Sequence, residues 1–177
     1  GKSLIINAVA QQVLDIATSQ GDRFGIIKLN CQRIKSHDRA IFRLAETVAA
    51  EADVETGVPE SGVSTDRKLN RLYELINAHF DFVLIILDEI DLLVGRQRDP
   101  SGEPAYSKLL YQLSRGSKLG RIESHISVAA LTNDPRFMEE LDGRTESSFN
   151  PQDIVFSDYN ADQLQSILNR RRDAYQD

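Results

Sequence analysis

Asp88 and Glu89 follow five consecutive apolar residues, Val83–Leu87, and Asp91 stands two positions further on in VLIILDEIDLLVG. An aliphatic run ending in carboxylates places acid groups where a buried strand surfaces. An Asp at such a point can hold Mg²⁺ directly or through water, and the Glu after it can orient or activate an attacking water. Asp91 reads as a local cap or a solvated carboxylate.

The chain opens Gly1-Lys2-Ser3, directly before a stripe of mostly apolar residues at helical spacing, from Leu4 and Ile5 to Ile16 and Ala17. Gly-Lys-Ser ahead of a helix is the second half of the phosphate loop GxxxxGK[ST]. Gly1 would let the backbone approach a phosphate, Lys2 would neutralise the β- and γ-phosphates, and Ser3 would join Asp88 as a Mg²⁺ ligand. The helix N-terminus adds amide donors. Three residues are a weak signal alone and a stronger one beside the acidic strand end.

SVAALTNDPRF, Ser127–Phe137, supplies a third group. A strand running into Thr132-Asn133 brings a neutral amide level with the carboxylates, within reach of a γ-phosphate or of the attacking water. Asn before Asp-Pro is also ordinary turn chemistry.

These groups need elements to carry them. Helical periodicity covers Leu4–Ser19, about Asp38–Ala52, Thr65–His79 with Thr65 as N-cap, about Ala105–Ser114, a short Arg136–Leu141, and Ala161–Tyr175 with Asn160 as cap. Strand patterns fall at Phe24–Leu29, Phe82–Leu87, Ile126–Leu131 and Asp153–Phe156, and residues 95–104 read as a polar loop. Strands alternating with helices predict a three-layer α/β fold with a parallel sheet. In such sheets ligands bind beyond the carboxyl ends of the strands, where Asp88, Glu89 and Asn133 lie.

With 177 residues, 41% of them hydrophobic, a single domain with a sizeable core is the expectation. A net charge of −6 argues against a generally basic, nucleic-acid-binding surface, though not against a local basic patch. The single cysteine, Cys31, rules out an internal disulfide and fits a reducing compartment. No apolar run approaches the roughly 18 residues of a membrane span. The expected location is therefore cytoplasmic, with no membrane partner.

Gly-Lys-Ser, LIILDEIDLLV, the strand ending at Asn133 and LDGRTESSFNPQDIVFSDYNADQLQSIL together resemble an AAA+ ATPase. More narrowly, the chain is similar to the archaeal replication initiators related to origin recognition complex subunit one and cell division control protein six. NCQRIKSHDRAIFRLAETV and GVSTDRKLNRLYELI share that likeness. The resemblance covers essentially the whole chain.

It implies a P-loop NTPase core over residues 1–158 and the first helix of a lid over 159–177. It also places the glycine-rich half of the phosphate loop and a central strand ahead of Gly1, and a winged helix beyond Asp177. These residues alone are then expected to fold poorly and to bind ATP weakly, if at all. The implied function is an ATP-binding, weakly hydrolysing module that recognises origins and licenses helicase loading. ATP or ADP with Mg²⁺ would be its cofactors. Origin DNA, the replicative helicase and other initiator copies would be its partners, at the chromosome.

On this reading Glu89, Asn133 and Arg144 are catalytic, Arg144 being the nearest arginine to the Ser147-Ser148 position where relatives carry a Ser-Arg finger. Gly1, Lys2, Ser3 and Asp88 hold nucleotide and metal, and Lys35, His37, Arg39 and Arg43 face DNA. A clamp-loader-like or remodelling ATPase, or an inactive remnant, are the alternatives.

Overall fold

The run Phe82–Asp88 is apolar at every position before Asp88 because both its faces are covered. Val83, Ile85 and Leu87 enter the main core, and Leu84 and Ile86 join a smaller cluster around Ala10 and Leu131 on the other face. This alternation defines three layers in the computed structural model, which describes residues 1–93, 103–116, 120–157 and 160–174.

In chain order the elements are α1 (Lys2–Gln20), β1 (Phe24–Asn30), α2 (His37–Glu51), α3 (Thr65–His79), β2 (Phe82–Asp88), α4 (Ala105–Arg115), β3 (His125–Ala130), α5 (Gly143–Phe149) and α6 (Ala161–Ala174). The three strands form a parallel sheet in the order β1-β2-β3, with Asn30 opposite Asp88 and Leu87 opposite Ala130. Three strand ends therefore open onto one edge.

Helices α2, α3 and α4 fill the main core with Ile41, Leu44, Leu72, Ile76, Leu109 and Leu110. A buried ion pair locks α2 to α3. Lys68, 1% exposed, donates to Asp38 Oδ2 (2.6 Å) and to the Glu60 carbonyl (2.6 Å). Gly25 is required on β1, since a Cβ there would lie 2.8 Å from the Phe80 ring.

Helix α1 covers the opposite face through Ala10 and Ala17, and Gly21 ends it at φ 83°. Leu4, Ile5, Val9, Val13 and Ile16 remain exposed on it. No residue of β3 is fully buried.

Three sequence expectations need correction. Ser64, not Thr65, caps α3 by accepting from the Arg67 amide, and the Thr65 hydroxyl instead donates to Asp38 Oδ1. Residues 136–141 form successive turns rather than a helix: Glu139 and Glu140 amides both reach the Arg136 carbonyl, and the Leu141 amide turns back to Met138. The helix lies later, at Gly143–Phe149, where Asp142 caps it. Residues 153–156 form no strand; Ile154, Val155 and Phe156 are exposed and none of the three described strands pairs with them. A strand needs a neighbouring ladder, and apolar pattern alone does not supply one.

The Asn160 cap is present, as a reciprocal pair with Gln163. The polar loop at 95–102, the boundary at 158–159 and Tyr175 lie outside the described residues.

Candidate nucleotide site

The end of β2 is held on both sides. The Cys31 amide donates to the Asp88 carbonyl (2.9 Å), the Leu131 amide to Leu87 (2.9 Å), and the Ile90 amide returns to Leu131 (3.1 Å). Between these anchors Glu89 adopts a left-handed backbone, φ 53° and ψ 44°. A non-glycine residue there is held against its own preference, a feature concentrated at functional sites. The turn aims the Glu89 side chain at β1, where Asn30 Nδ2 donates to Glu89 Oε2 (3.3 Å). The Gln32 amide in turn fixes Asn30 Oδ1 (2.9 Å).

Ser3 and Asp88 line one cleft of about 100 Å³ between the first turn of α1 and the ends of β1 and β2. Asn7, Lys28 and Asn30 share it. On the far side of β2, Lys2 Nζ donates to Asn133 Oδ1 (2.5 Å), and the Asn133 amide reaches Asp91 Oδ1 (3.3 Å). Gly1 stands at the N-cap of α1 with no side-chain capping bond, and its carbonyl accepts from the Leu4 and Ile5 amides, which leaves the Lys2 and Ser3 amides to meet an anion.

The local field is negative. Burial, and then Asp88, Asp91 and Glu89 in that order, push the Cys31 thiol up to about 12. Ser3 and Asp88 offer hard oxygen donors, and among the described residues no group of three or more His, Cys, Asp or Glu gathers to hold a metal. That donor set fits Mg²⁺, which takes one or two protein oxygens and keeps water and phosphate for the rest.

The predicted residues thus divide. Lys2 and Asn133 are in direct contact, Ser3 and Asp88 share the cleft, and Glu89 stands beside them. Arg144 is elsewhere: its guanidinium lies on Asp142 (2.9 Å), 3.8 Å from Glu103 and over the Tyr111 ring. The side-chain hydrogen bond and charge of Asp142 hold it protonated, and Arg144 holds the Asp142 carboxyl below the usual carboxylate range.

Of the four candidate DNA residues, three are engaged. His37 Nε2 bonds Gln112 Oε1, Arg39 pairs with Glu60 (2.9 Å) and Arg43 with Glu46. Lys35 is exposed and makes no hydrogen bond or ion pair among the described residues.

Sequence reasoning missed Asn30. Its signal was its position: the last residue of an amphipathic strand, in register with Asp88.

Residues 1–153 match the AAA family, described as ATPase family associated with various cellular activities. The chain is 61% identical over 99% of its length to ORC1-type DNA replication protein 5 of Halobacterium salinarum, and 54% identical over 99% to ORC1-type DNA replication protein 14 of Haloarcula marismortui. It spans 40% of the length of each. Among solved structures, the Aeropyrum pernix ORC1 protein in complex with DNA matches 98% of this chain and 41% of its own, at 28% identity and a TM-score of 0.75. No described helix is long and apolar enough to cross a membrane. The phosphate-loop ending, the acidic strand end, the parallel sheet and these matches agree: the chain belongs to the AAA family of ATPases, and its relatives are ORC1-type DNA replication proteins.

Proposed function

We propose that the chain is the ATP-binding, weakly hydrolysing module of a replication initiator that recognises origin DNA and licenses loading of the replicative helicase. One observation carries the nucleotide half of this reading. The Lys2 ammonium meets Asn133 beside the end of β2, so a cation, an amide and the Asp88–Glu89 pair converge from three separate elements.

In this reading the α1 amides and Lys2 bind the phosphates, and Ser3 and Asp88 would hold Mg²⁺, which would supply charge neutralisation to the phosphates. Glu89 orients the attacking water, and Asn133 hydrogen-bonds the γ-phosphate or that water. Arg144 is the candidate for reaching a neighbouring initiator copy. Asn30 holds Glu89 from the side, which suits slow hydrolysis. The DNA half rests on the relatives' names and on the DNA complex of the Aeropyrum pernix protein. The protein would then work in the cytoplasm, on the chromosome.

The test uses the full-length protein. Lys2→Ala is expected to weaken binding of a fluorescent ATP analogue at least ten-fold while leaving the melting temperature within about 2 °C, since a half-buried side chain at a helix start contributes little to stability. Equal affinity of wild type and variant would overturn the nucleotide assignment.

A further inference from the structure

The cleft holds a cation that the phosphate-loop pattern does not account for. Lys28 lies on β1 two residues before Asn30, so strand alternation puts both on the α1 face of the sheet. Register sets Lys28 opposite Ile86 and Asn30 opposite Asp88, making Lys28 the diagonal neighbour of Asp88 on the same face. With strands about 4.8 Å apart and about 3.3 Å of rise per residue, the two Cα atoms stand roughly 8 Å apart. A lysine stem covers most of that distance. Lys28 is exposed, and its side chain makes no hydrogen bond or ion pair among the described residues. The side chain of Asp88 is similarly uncommitted, accepting only from the amide of Glu89 (3.1 Å).

The strand order decides what Lys28 faces. Lys2 bonds Asn133, which follows β3, whereas Lys28 belongs to β1; the two ammonium groups flank β2 from opposite sides. Lys2 is therefore on the side assigned to the phosphate chain, and Lys28 is on the carboxylate side, lining the cleft with Ser3 and Asp88.

We propose that Lys28 is the counter-charge of the Asp88 carboxylate and that magnesium competes with it, so that Lys28 sets the metal concentration at which the site loads. This rests on the nucleotide reading above. Ser3 and Asp88 would hold the metal, whose two positive charges would then lie next to the Lys28 ammonium; that ammonium is exposed and free to swing toward solvent. Lys28 is a positioning residue: it touches neither phosphate nor the reacting water.

The experiment titrates Mg²⁺ against a fluorescent ADP analogue bound to full-length wild type, Lys28→Met and Lys28→Arg. Removing one charge from a solvated cleft predicts a drop of about three-fold in the half-saturating Mg²⁺ for Lys28→Met. Lys28→Arg should stay at the wild-type value, and affinity for the analogue in EDTA should be equal in all three. An unchanged magnesium midpoint in Lys28→Met overturns the proposal. So does a loss of affinity in EDTA, which would make Lys28 a phosphate ligand. If wild type binds no analogue at any Mg²⁺, the nucleotide reading itself falls and takes this inference with it.

Discussion

Lys2 and Asn133 are 131 positions apart and share one hydrogen bond, from Nζ to Oδ1. It joins the first turn of α1 to the exit of β3, on the side of β2 away from β1. The pair is exposed, so its contribution to stability is about 1 kcal/mol or less. Its weight lies in geometry. On the proposed nucleotide reading, a phosphate entering at the α1 N-terminus would draw the ammonium from Asn133 and free the amide to bond the same phosphate or a water beside it.

Asn30 and Glu89 form the second polar joint of the rim. At 3.3 Å the Asn30 amide donates to the Glu89 carboxylate, and on the proposed reading this bond restrains it. Asn30→Ala is expected to raise ATP hydrolysis by the full-length protein two- to five-fold, with analogue affinity unchanged. Phosphate release under single-turnover conditions measures it. A rate as low as that of Glu89→Gln would show that Asn30 assists Glu89 and does not restrain it.

The α2–α3 lock predicts an asymmetry. Lys68 is buried, whereas the Asp38 side chain is 40% exposed. Asp38→Asn leaves the ammonium with the Glu60 carbonyl and the Phe42 ring, at 5.8 Å, as its principal partners, and should cost about 3 kcal/mol. Lys68→Met leaves a carboxylate that water can reach, and should cost nearer 1 kcal/mol. Urea unfolding of both variants decides it; equal losses would mean that the pair is solvated.

His37 gives stability a pH dependence. Burial lowers its pKa below the ordinary 6.5; the Gln112 hydrogen bond opposes that, Lys108 adds to it, and Asp38 and Glu103 oppose it. The folded state then binds fewer protons than the unfolded one, so stability rises with pH. The contribution is fully present above 6.5 and is lost as pH falls through the lowered folded value. Melting temperatures between pH 7.5 and 5.5 should fall more steeply for wild type than for His37→Gln, whose amide can still meet Gln112. Parallel curves would remove His37 from the balance.

The sequence was most legible where one residue type has one use. The run FVLIIL could only be a strand covered on both faces, and a carboxylate after it had to surface at the sheet's edge. Where a pattern has several uses, it was less legible. IVF at 154–156 has strand chemistry without a neighbouring ladder among the described residues, and no local pattern shows that Arg39 and Arg43 stand beside Glu60 and Glu46. Lys28 was hidden because a lone lysine in an amphipathic strand looks like a solvated face. Its meaning depends on register with β2, which no local window contains.

That pairing makes the DNA assignment testable residue by residue. A cation already held by a carboxylate brings little net charge to a phosphate, and its partner must be released first. Lys35 carries no such partner. In full-length protein bound to origin DNA, Lys35→Ala should weaken binding and reduce the slope of log affinity against log salt by about one. Arg39→Ala and Arg43→Ala should change that slope by less than half as much, because Glu60 and Glu46 already offset their charge. Equal slopes for all three variants would mean that DNA breaks the surface pairs. A slope unchanged in Lys35→Ala would place the DNA contact elsewhere in the protein.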